Sequence, residues 1–404
     1  MESLLSDEEC TLILKRSLKH DHCKLVEKEL SKFANRILGF MGDHLVLNLK
    51  YTVRNDPAIY TGSFFVKCLP QTNQEQKEFV DNTGMLRKEV KLYKKLMKPL
   101  QALVTMQFCA ELYFSRENIM VFENLESRGF AILPKTFFDK WKIMVGLRTM
   151  AQMHGASLIL EDAKKSDDND YFLDTECKEE LSDYKFDYTE GHERNNWVKA
   201  AVGCVGELCV YFTGDFLYKQ KVRHYLESVM PKVIESFRDT KKVLCHNDLW
   251  ANNLMFNEND ECIFVDFQLA KYGPPAFDFW VFLYFNAHHQ LLQDNLNEFL
   301  EHYFDSLKSE LETASLEISL IISKQDFLDT VKFYQKPALF QVNFCGTYIY
   351  ASDEFIKKMI NDLELYDDFN FGNRSRYILE EITRSKECEE RFKNTILPLC
   401  DMFR

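Results

Sequence analysis

The chain has 404 residues, of which 46% are hydrophobic and 14% aromatic, a composition that suits a core-forming globular protein and excludes a disordered one. Its length favours two lobes or domains over one small core. The formal net charge of −13 argues against a nucleic-acid partner and against a surface that binds anionic lipid, since both usually require a basic excess.

The first part of the chain predicts a mixed lobe of helices and strands. Residues 1 to about 32 place Leu and Val at helical spacing between Lys and Glu, which predicts an amphipathic N-terminal helix. The alternation in Ala34–Val53 predicts two strands joined by a tight turn, and YTGSFFVKCLP predicts a third strand that ends at Pro70. The remaining elements predicted for this lobe are a helix over Asp81–Met97 and strands over Ala110–Ser115 and Asn118–Leu125.

The rest of the chain predicts a second, mostly helical lobe. A long helix covers Phe137–Leu158, and helical patterns resume at 225–237. Between them, residues 161–196 are polar and acidic, which predicts a surface insertion or a mobile excursion. Nearly everything from Val281 to Arg404 has helical periodicity. The boundary between the two lobes falls near Leu125.

Cysteine usage and the N-terminal sequence predict where the protein is located. The 12 cysteines are scattered without a Cys-x-x-Cys pair, as reduced and buried thiols would be. The opening residues MESLLSDEECTL lack the basic start and apolar run of a signal peptide. The longest apolar stretch falls well short of the roughly 18 residues that span a bilayer. We therefore expect a soluble, cytoplasmic protein with no membrane partner.

One stretch, VLCHNDLWANNLMF at 243–256, concentrates hydrogen-bonding side chains between two hydrophobic runs. Asp248 and Asn253 lie in its polar loop, and a predicted hairpin follows whose second strand ends at Asp266. A hairpin of that length would return Asp266 to the start of the loop, so that Asp248, Asn253 and Asp266 converge. The structural alternative is a polar turn in which these side chains cap the backbone.

A set of two carboxylates and an amide oxygen predicts a phosphoryl-transfer site. Mg²⁺ takes one or two carboxylates together with phosphate oxygens, and this set supplies such ligands. The remaining carboxylate, Asp248, would accept the proton of an attacking hydroxyl. Phosphoryl transfer requires a metal that spreads the charge on the phosphate oxygens and a base that aligns the nucleophile.

The spacing His246-x-Asp248-x4-Asn253, followed by VDFQ, resembles the choline-kinase and aminoglycoside-phosphotransferase branch of the protein-kinase-like fold. The segments LCHNDLWANNLMF, VDFQLAKYGPPAFDFW and ENLESRGF look like the ecdysteroid kinase-like family in particular. This resemblance covers about residues 30 to 390. The catalytic-loop and metal motifs carry most of it, and the nucleotide loop carries little.

The resemblance implies a fold of the α+β class with two lobes. The N-terminal lobe, 1–125, would bind the nucleotide with an antiparallel sheet and a helix, preceded by an N-terminal helical extension. The C-terminal lobe, 126–404, would be mostly helical, contain the catalytic hairpin and bind the acceptor.

The resemblance also implies roles for single residues of the catalytic region. Asp248 would be the catalytic base, Asn253 a metal ligand within the catalytic loop, and Asp266 the ligand of the Mg²⁺ that bridges the ATP phosphates. His246 matches the family's loop histidine, which either braces the loop by hydrogen bonds or moves protons. Asp278 matches an acidic residue at a helix start that fixes the loop.

Lys67 stands within an apolar strand pattern, where a lysine has two readings. It is either an edge-strand charge or the lysine that binds the ATP phosphates, with Glu89 on the following helix as its partner. GFMGDH, which contains Gly42, is in the place of the loop that covers the phosphates. This loop is poor in glycine, and His44 stands where family members commonly carry Asn.

Two further segments resemble the family. FENL resembles the hinge between the lobes, where backbone groups of Glu123, Asn124 and Leu125 would hydrogen-bond adenine. MAQMHGASL resembles a helix behind the catalytic loop, and its His154 is either a satisfied core histidine or a ligand.

We therefore expect an ATP- and Mg²⁺-dependent small-molecule O-kinase that transfers the γ-phosphate to an alcohol. The aromatic C-terminal helices would form an apolar pocket, so the expected acceptor is an ecdysteroid, which gives the family its name, or a hydrophobic xenobiotic alcohol that is detoxified. A choline or ethanolamine kinase is the alternative enzyme, and choline would call for an aromatic cage with a carboxylate. A third possibility is a pseudokinase that only binds a ligand, against which the complete set of motif residues argues.

Overall fold

The computed structural model describes residues 4–33, 42–71, 74–165, 172–181, 194–236 and 240–404. The chain divides into two compact units. The N-terminal unit is Met1–Pro134 together with Asn252–Gln268, and the C-terminal unit is Lys135–Ala251 together with Leu269–Arg404. The stretch VLCHNDLWANNLMF therefore contributes residues to both units.

A five-stranded antiparallel sheet with the strand order β1-β2-β3-β5-β4 forms the main part of the N-terminal unit. Its strands are β1 (Cys23–Lys32), β2 (Asp43–Val53), β3 (Asp56–Cys68), β4 (Leu112–Arg116) and β5 (Ile119–Glu123). In β2 every second residue, Leu45, Leu47 and Leu49, is buried in a core that includes Ile13 and Leu14 of helix α1 (Asp7–Leu18). Each buried leucine contributes about 1.5–3 kcal/mol, so this alternation fixes which face of the sheet carries α1.

The prediction of helix for residues 23–32 is wrong, because this segment is strand β1. It lies at the edge of the sheet and pairs with β2 along its length. A β-bulge between Leu25 and Glu27 interrupts the alternation, and apolar residues then recur at spacings that imitate a helix. Of the two strands predicted in Ala34–Val53, the second is β2, and residues 34–41 lie outside the described residues.

Helices and a second sheet complete the N-terminal unit. The helices are α2 (Gln74–Thr83), α3 (Met85–Leu92) and α4 (Lys98–Gln101), with a π-helical turn at Tyr93–Met97. The second sheet has the order β6-β8-β9 and consists of β6 (Ala131–Ile132), β8 (Leu254–Phe256) and β9 (Cys262–Phe264). The β8–β9 hairpin is the one predicted. Its open end is closed by a 3.0 Å bond from Val265 N–H to the carbonyl of Asn253, so Asn253 and Asp266 flank the same end.

The C-terminal unit is mostly helical, and the predicted α+β class is confirmed. Strands β7 (Val243–Cys245) and β10 (Lys271–Gly273) pair antiparallel. The helices are α5 (Lys140–Lys164), α6 (Phe172–Glu176), α7 (Arg194–Thr213), α8 (Leu217–His224), α9 (Met230–Ser236), α10 (Pro275–Asn286), α11 (His289–Thr313), α12 (Ile318–Ile321), α13 (Lys324–Ile349), α14 (Asp353–Asn361), α15 (Leu363–Phe371), α16 (Arg374–Arg384) and α17 (Lys386–Asp401).

Helix α10 is buried along its whole length, because its sequence PAFDFWVFLYFN is apolar on nearly every side. Asp278 and Asn286 are buried with it, and neither side chain is exposed to solvent. Buried polar groups are almost always hydrogen-bonded, so two such residues in an apolar helix indicate a specific task.

Part of the polar segment 161–196, for which composition predicts a surface insertion or a mobile excursion, is attached to the core. Glu161 belongs to α5 and accepts hydrogen bonds from the backbone N–H groups of Phe172 and Leu173, at 2.8 and 2.7 Å. Leu173 and Cys177 are fully buried. Two buried apolar residues four positions apart attach this short segment to the core. The average composition of 161–196 is polar and gives no sign of them. Residues 166–171 and 182–193 lie outside the described residues.

Candidate active site

Strand β3 carries Lys67 into the interior of the N-terminal unit. The side chain is 4% exposed, and β3 lies between β2 and β5, so the edge-strand interpretation of this lysine is excluded. Its Nζ lies 2.6 Å from Oε2 of Glu89 on α3 and 2.7 Å from Oδ1 of Asp266 after β9. The second oxygen of Glu89, Oε1, accepts the N–H of Phe267 at 2.8 Å. Three residues from distant parts of the sequence therefore form one ion cluster, in which Lys67 and Glu89 are buried and Asp266 is partly exposed.

The charges of this cluster depend on one another. Burial lowers the pKa of Lys67, but the carboxylates of Asp266 and Glu89 outweigh burial and hold the pKa above its ordinary value. Burial raises the pKa of Glu89, and the Lys67 ammonium opposes that rise. Lys67 is therefore a permanent cation at neutral pH, as a lysine that binds phosphate must be.

The ion cluster lines a cavity within the N-terminal unit. The residues around this cavity are Phe33, His44, Phe65, Lys67, Glu89, Tyr93, Ala110, Phe122, Glu123, Asn124, Leu125, Ile132, Asn252, Asn253, Met255, Val265 and Asp266. Aromatic and aliphatic walls with a few convergent polar groups are typical of a small-molecule site. The cavity brings together Lys67, Glu89, Asn253 and Asp266 with the predicted hinge.

Several residues of the cavity wall were not predicted from the sequence, among them Phe65, Tyr93 and Asn252. A signal existed for Phe65, because side chains two apart in a strand face the same side, which places it beside Lys67. Tyr93 follows α3 in the π-helical turn, and its position on the cavity wall depends on tertiary packing that periodicity does not encode.

Hydrogen bonds within the protein reduce the number of hinge groups that are available to bind adenine. The backbone N–H of Glu123 donates to the carbonyl of Glu111 at 3.0 Å, so this N–H is not available to a base. The side chain of Asn124 donates to Oγ of Ser63 at 2.9 Å and accepts from the N–H of Glu126 at 3.1 Å. The remaining backbone groups of Glu123, Asn124 and Leu125 carry the adenine prediction.

Asn253 and Asp266 supply an amide oxygen and a carboxylate to the same cavity. Asp266 has a φ of 66°, a left-handed conformation that Asp adopts more readily than most residues, and it turns the chain at the end of the hairpin. Hard oxygen ligands of this kind fit Mg²⁺, and a neighbouring lysine fits the phosphate that such an ion accompanies.

The predicted phosphate-covering loop is described only from Gly42 onward, because residues 39–41 lie outside the described residues. A Cβ at Gly42 would lie 2.7 Å from the carbonyl oxygen of Cys68, so only glycine permits this backbone approach. His44 lies in β2 opposite Lys67 and stacks on Phe65, with ring centroids 5.5 Å apart. Burial and the Lys67 charge lower the pKa of His44 to about 4, so the ring is neutral at pH 7.

The C-terminal unit holds the other predicted catalytic residues, on the loop after β7. Asp278 accepts the backbone N–H of His246 on Oδ2 at 2.8 Å and that of Asn247 on Oδ1 at 2.7 Å. Burial raises the pKa of Asp278, but the hydrogen bond and charge of His154, together with the loop contacts, outweigh burial and lower it. Asp248 follows directly and is 8% exposed. Asp278 therefore fixes the loop, as its position at the start of α10 predicts.

His154, Cys245 and Asp278 are the one group of potential metal ligands that the described residues bring together. Hydrogen bonds already occupy them: His154 Nδ1 with Tyr303 Oη at 2.7 Å, His154 Nε2 with Asp278 Oδ2 at 3.4 Å, and Cys245 Sγ with the carbonyl of Gly273 at 3.4 Å. Burial raises the pKa of the Cys245 thiol. A protonated thiol and a satisfied imidazole make a core network, which agrees with the core interpretation of His154.

The chain belongs to the ecdysteroid kinase-like family, whose model matches residues 39–316, well over half of the sequence. The resemblance stated from the motifs is thereby confirmed. The expected class of enzyme, a small-molecule phosphotransferase, is the class that this membership supports.

Individual relatives are distant. An uncharacterized kinase-like protein of Caenorhabditis elegans is 30% identical over 104 residues, which span 25% of this chain and only 27% of that protein. Among solved structures, the chain is similar to an ethanolamine kinase of Plasmodium vivax, with 11% identity, a TM-score of 0.47, and 93% of this chain and 83% of that one covered. It is also similar to the choline kinase LicA of Streptococcus pneumoniae, with 12% identity, a TM-score of 0.41, and 94% and 99% covered.

Within the described part of the chain, we find no helix with the length and apolar character that crossing a membrane requires.

Proposed function

We propose that this protein is an ATP- and Mg²⁺-dependent O-kinase that phosphorylates a small hydrophobic alcohol. The observation that carries the proposal is the largely buried cluster of Lys67, Glu89 and Asp266 on the wall of a cavity whose other lining residues are mostly aromatic and aliphatic. A permanent cation beside two carboxylates suits a metal-bound polyphosphate, and the apolar walls suit a base.

The residues that line the cavity have different proposed roles in nucleotide binding. Phe65, Tyr93 and Met255 would contact the adenine ring while hinge backbone groups hydrogen-bond its edge. Lys67 would bind phosphate oxygens as a point charge, and Glu89 would hold Lys67 in position. Asn253 and Asp266 would hold Mg²⁺, which supplies charge neutralisation on the phosphate oxygens when it is bound.

Asp248 is the proposed general base. Its carboxylate would accept the proton of the acceptor hydroxyl as the hydroxyl oxygen forms a bond to the γ-phosphorus and the bond between that phosphorus and the bridging oxygen of ADP breaks. The bonds from Asp278 to the two preceding residues support this role, because a base must be held in place to act. For His246 the proposed role is to brace the loop, and its backbone N–H donates to Oδ2 of Asp278 at 2.8 Å.

The proposed acceptor is an ecdysteroid or a xenobiotic alcohol, whose phosphorylation would be a detoxification step. One arrangement counts against choline as the acceptor. Lys135 Nζ lies 5.7 Å from the ring centroid of Trp250, two residues after Asp248, and it also pairs with the carboxylate of Asp353. The cation position beside this ring and carboxylate is therefore already taken by the chain's own lysine.

A cytoplasmic location is part of the proposal. All 12 cysteines are free thiols, and 10 of them are buried. Thiols persist in a reducing compartment, which is also where ATP is abundant.

A transfer assay with γ-labelled ATP tests the proposed function. Purified protein is incubated with Mg-ATP and single acceptors: an ecdysteroid, a panel of hydrophobic alcohols, choline and ethanolamine. Mass spectrometry then locates the phosphate on the product. The proposal predicts a phosphoester of a hydrophobic alcohol, and transfer confined to choline or ethanolamine would contradict it.

A further inference from the structure

All the polar groups of Asn247, the residue directly before Asp248, form hydrogen bonds. Its backbone N–H donates to Asp278 at 2.7 Å, and its side-chain Nδ2 donates to the carbonyl of Leu269 at 3.2 Å. Its carbonyl oxygen and its Oδ1 both accept from Nε2 of Gln341, at 3.1 and 2.7 Å. Asn247 has a φ of 66°, a left-handed conformation that asparagine adopts more readily than most residues and that these hydrogen bonds hold in place.

Gln341 lies on α13 and is fully buried. Its amide faces two oxygens, so only the NH₂ group can point toward Asn247. The opposite atom, Oε1, is buried without a hydrogen-bond partner among the described residues. A buried acceptor without a hydrogen-bond partner costs free energy. The contribution of Gln341 to the structure therefore lies in its NH₂ donors.

Asn286 of α10 makes the corresponding contact with Leu249, the residue directly after Asp248. Its Nδ2 donates to the carbonyl of Leu249 at 2.7 Å and to that of Phe282 at 2.8 Å. Its Oδ1 also lacks a hydrogen-bond partner within the part of the chain that the structure describes. The residue before Asp248 and the residue after it are therefore both held by buried amides that act as donors.

We propose that Gln341 is a positioning residue for the reaction: its amide locks Asn247 in the left-handed conformation and thereby fixes the direction of the Asp248 carboxylate. The inference rests on the proposed function, because it takes Asp248 to be the base. Gln341 itself touches no reacting atom. Asn286 supports the same loop from the other side, and a loop held at both neighbours gives its central residue little freedom.

The test compares Gln341→Met with a control on the same helix. Methionine keeps the volume of glutamine and removes the donors. Asn343→Leu is the control, because Asn343 is also fully buried on α13 but bonds Leu339 and Thr395 and not the loop. Steady-state turnover of Mg-ATP with the best acceptor of the panel gives kcat and the KM for ATP. Hydrogen exchange of peptides that cover residues 246–250 gives the order of the loop.

For Gln341→Met we expect kcat to fall by about 10- to 100-fold, the KM for ATP to stay within about twofold, and exchange at 246–250 to rise. For Asn343→Leu we expect lower stability with kcat and loop exchange unchanged. Gln341→Asn, whose amide is too short to reach Asn247, should behave like Gln341→Met and serves if that variant does not fold.

The outcomes separate this inference from the function on which it rests. An active wild type, an inactive Asp248→Asn and an unchanged Gln341→Met would overturn the positioning role alone. Equal losses of kcat in Gln341→Met and Asn343→Leu would also overturn it, because general loosening of α13 would then explain both. An inactive wild type would overturn the proposed function and the role of Gln341 together.

Discussion

Nζ of Lys67 lies 2.7 Å from Oδ1 of Asp266, although 199 positions separate the two residues in the sequence. Both belong to the N-terminal unit, because the β8–β9 hairpin returns to it after the chain has passed through the C-terminal unit. The contact joins the proposed phosphate-binding lysine to a proposed metal ligand. The protonation state of each group in the ion cluster depends on its neighbours. Replacing one residue should therefore change the behaviour of the groups that contact it.

Replacing Lys67 with Met should destabilise the protein by about 3–5 kcal/mol, because Glu89 and Asp266 would remain as adjacent carboxylates without their cation. ATP binding should be lost as well. Chemical denaturation measures the first effect and calorimetry the second. The matched control is Lys50→Met on β2, whose partner Glu27 lies 2.8 Å away at an exposed site, so stability should not change measurably. Equal stability of the Lys67 variant and the control would show that the ion cluster is not formed.

Replacing Asp266 with Asn should weaken the binding of Mg-ATP by more than about tenfold, because a charged ligand of the ion is lost. Without metal, ATP should bind as well as before or better, since Lys67 would be released from one of its carboxylates. Calorimetric titrations with Mg²⁺ and with EDTA measure the two affinities. Asp56→Asn, at the start of β3 and outside the cavity wall, should leave both unchanged. A loss of affinity of the same size with and without metal would refute the role of Asp266 as a ligand.

His44 should make the protein sensitive to acid. The pKa of His44 is about 4 in the folded protein, and its ordinary value is 6.5. Between these pH values the unfolded chain binds a proton at His44 that the folded chain does not bind. The contribution to stability is therefore complete above pH 6.5 and is lost as the pH falls toward 4, by at most about 1.4 kcal/mol per pH unit. Urea denaturation at several pH values, without metal or nucleotide, measures this loss.

The variant His44→Asn isolates that contribution, because asparagine is polar but does not titrate. The difference in unfolding free energy between wild type and variant should change between pH 6.5 and 4 and stay constant above pH 7. A difference that does not depend on pH would show that His44 titrates normally in the folded protein.

Much of the candidate site was predictable because its residues sit at fixed spacings near strand ends. The hairpin after Asn253 follows from a local pattern, and the pairing of Lys67 with Glu89 was expected from the way kinases hold a phosphate-binding lysine. The structure forms both. Strand β1 was missed because a bulge disguises its alternation.

The supports of the catalytic loop were only partly predictable. The role of Asp278 could be inferred because it matches an acidic residue that the resembled family places at a helix start near the catalytic loop. Gln341 lies 94 positions from Asn247 in a helix whose periodicity gives no sign of a loop contact. Contacts between such distant positions arise from helix packing, which no local pattern records.

Phosphate transfer by the Asp248→Asn variant tests the central claim most directly. With γ-labelled ATP, Mg²⁺ and the acceptor found in the panel, the wild type should form labelled phosphoester. The variant should bind ATP normally and transfer phosphate about 100- to 10,000-fold more slowly, because the proposed general base is lost while the proposed nucleotide site, in the N-terminal unit, is unchanged. Transfer at the wild-type rate by Asp248→Asn would contradict the account.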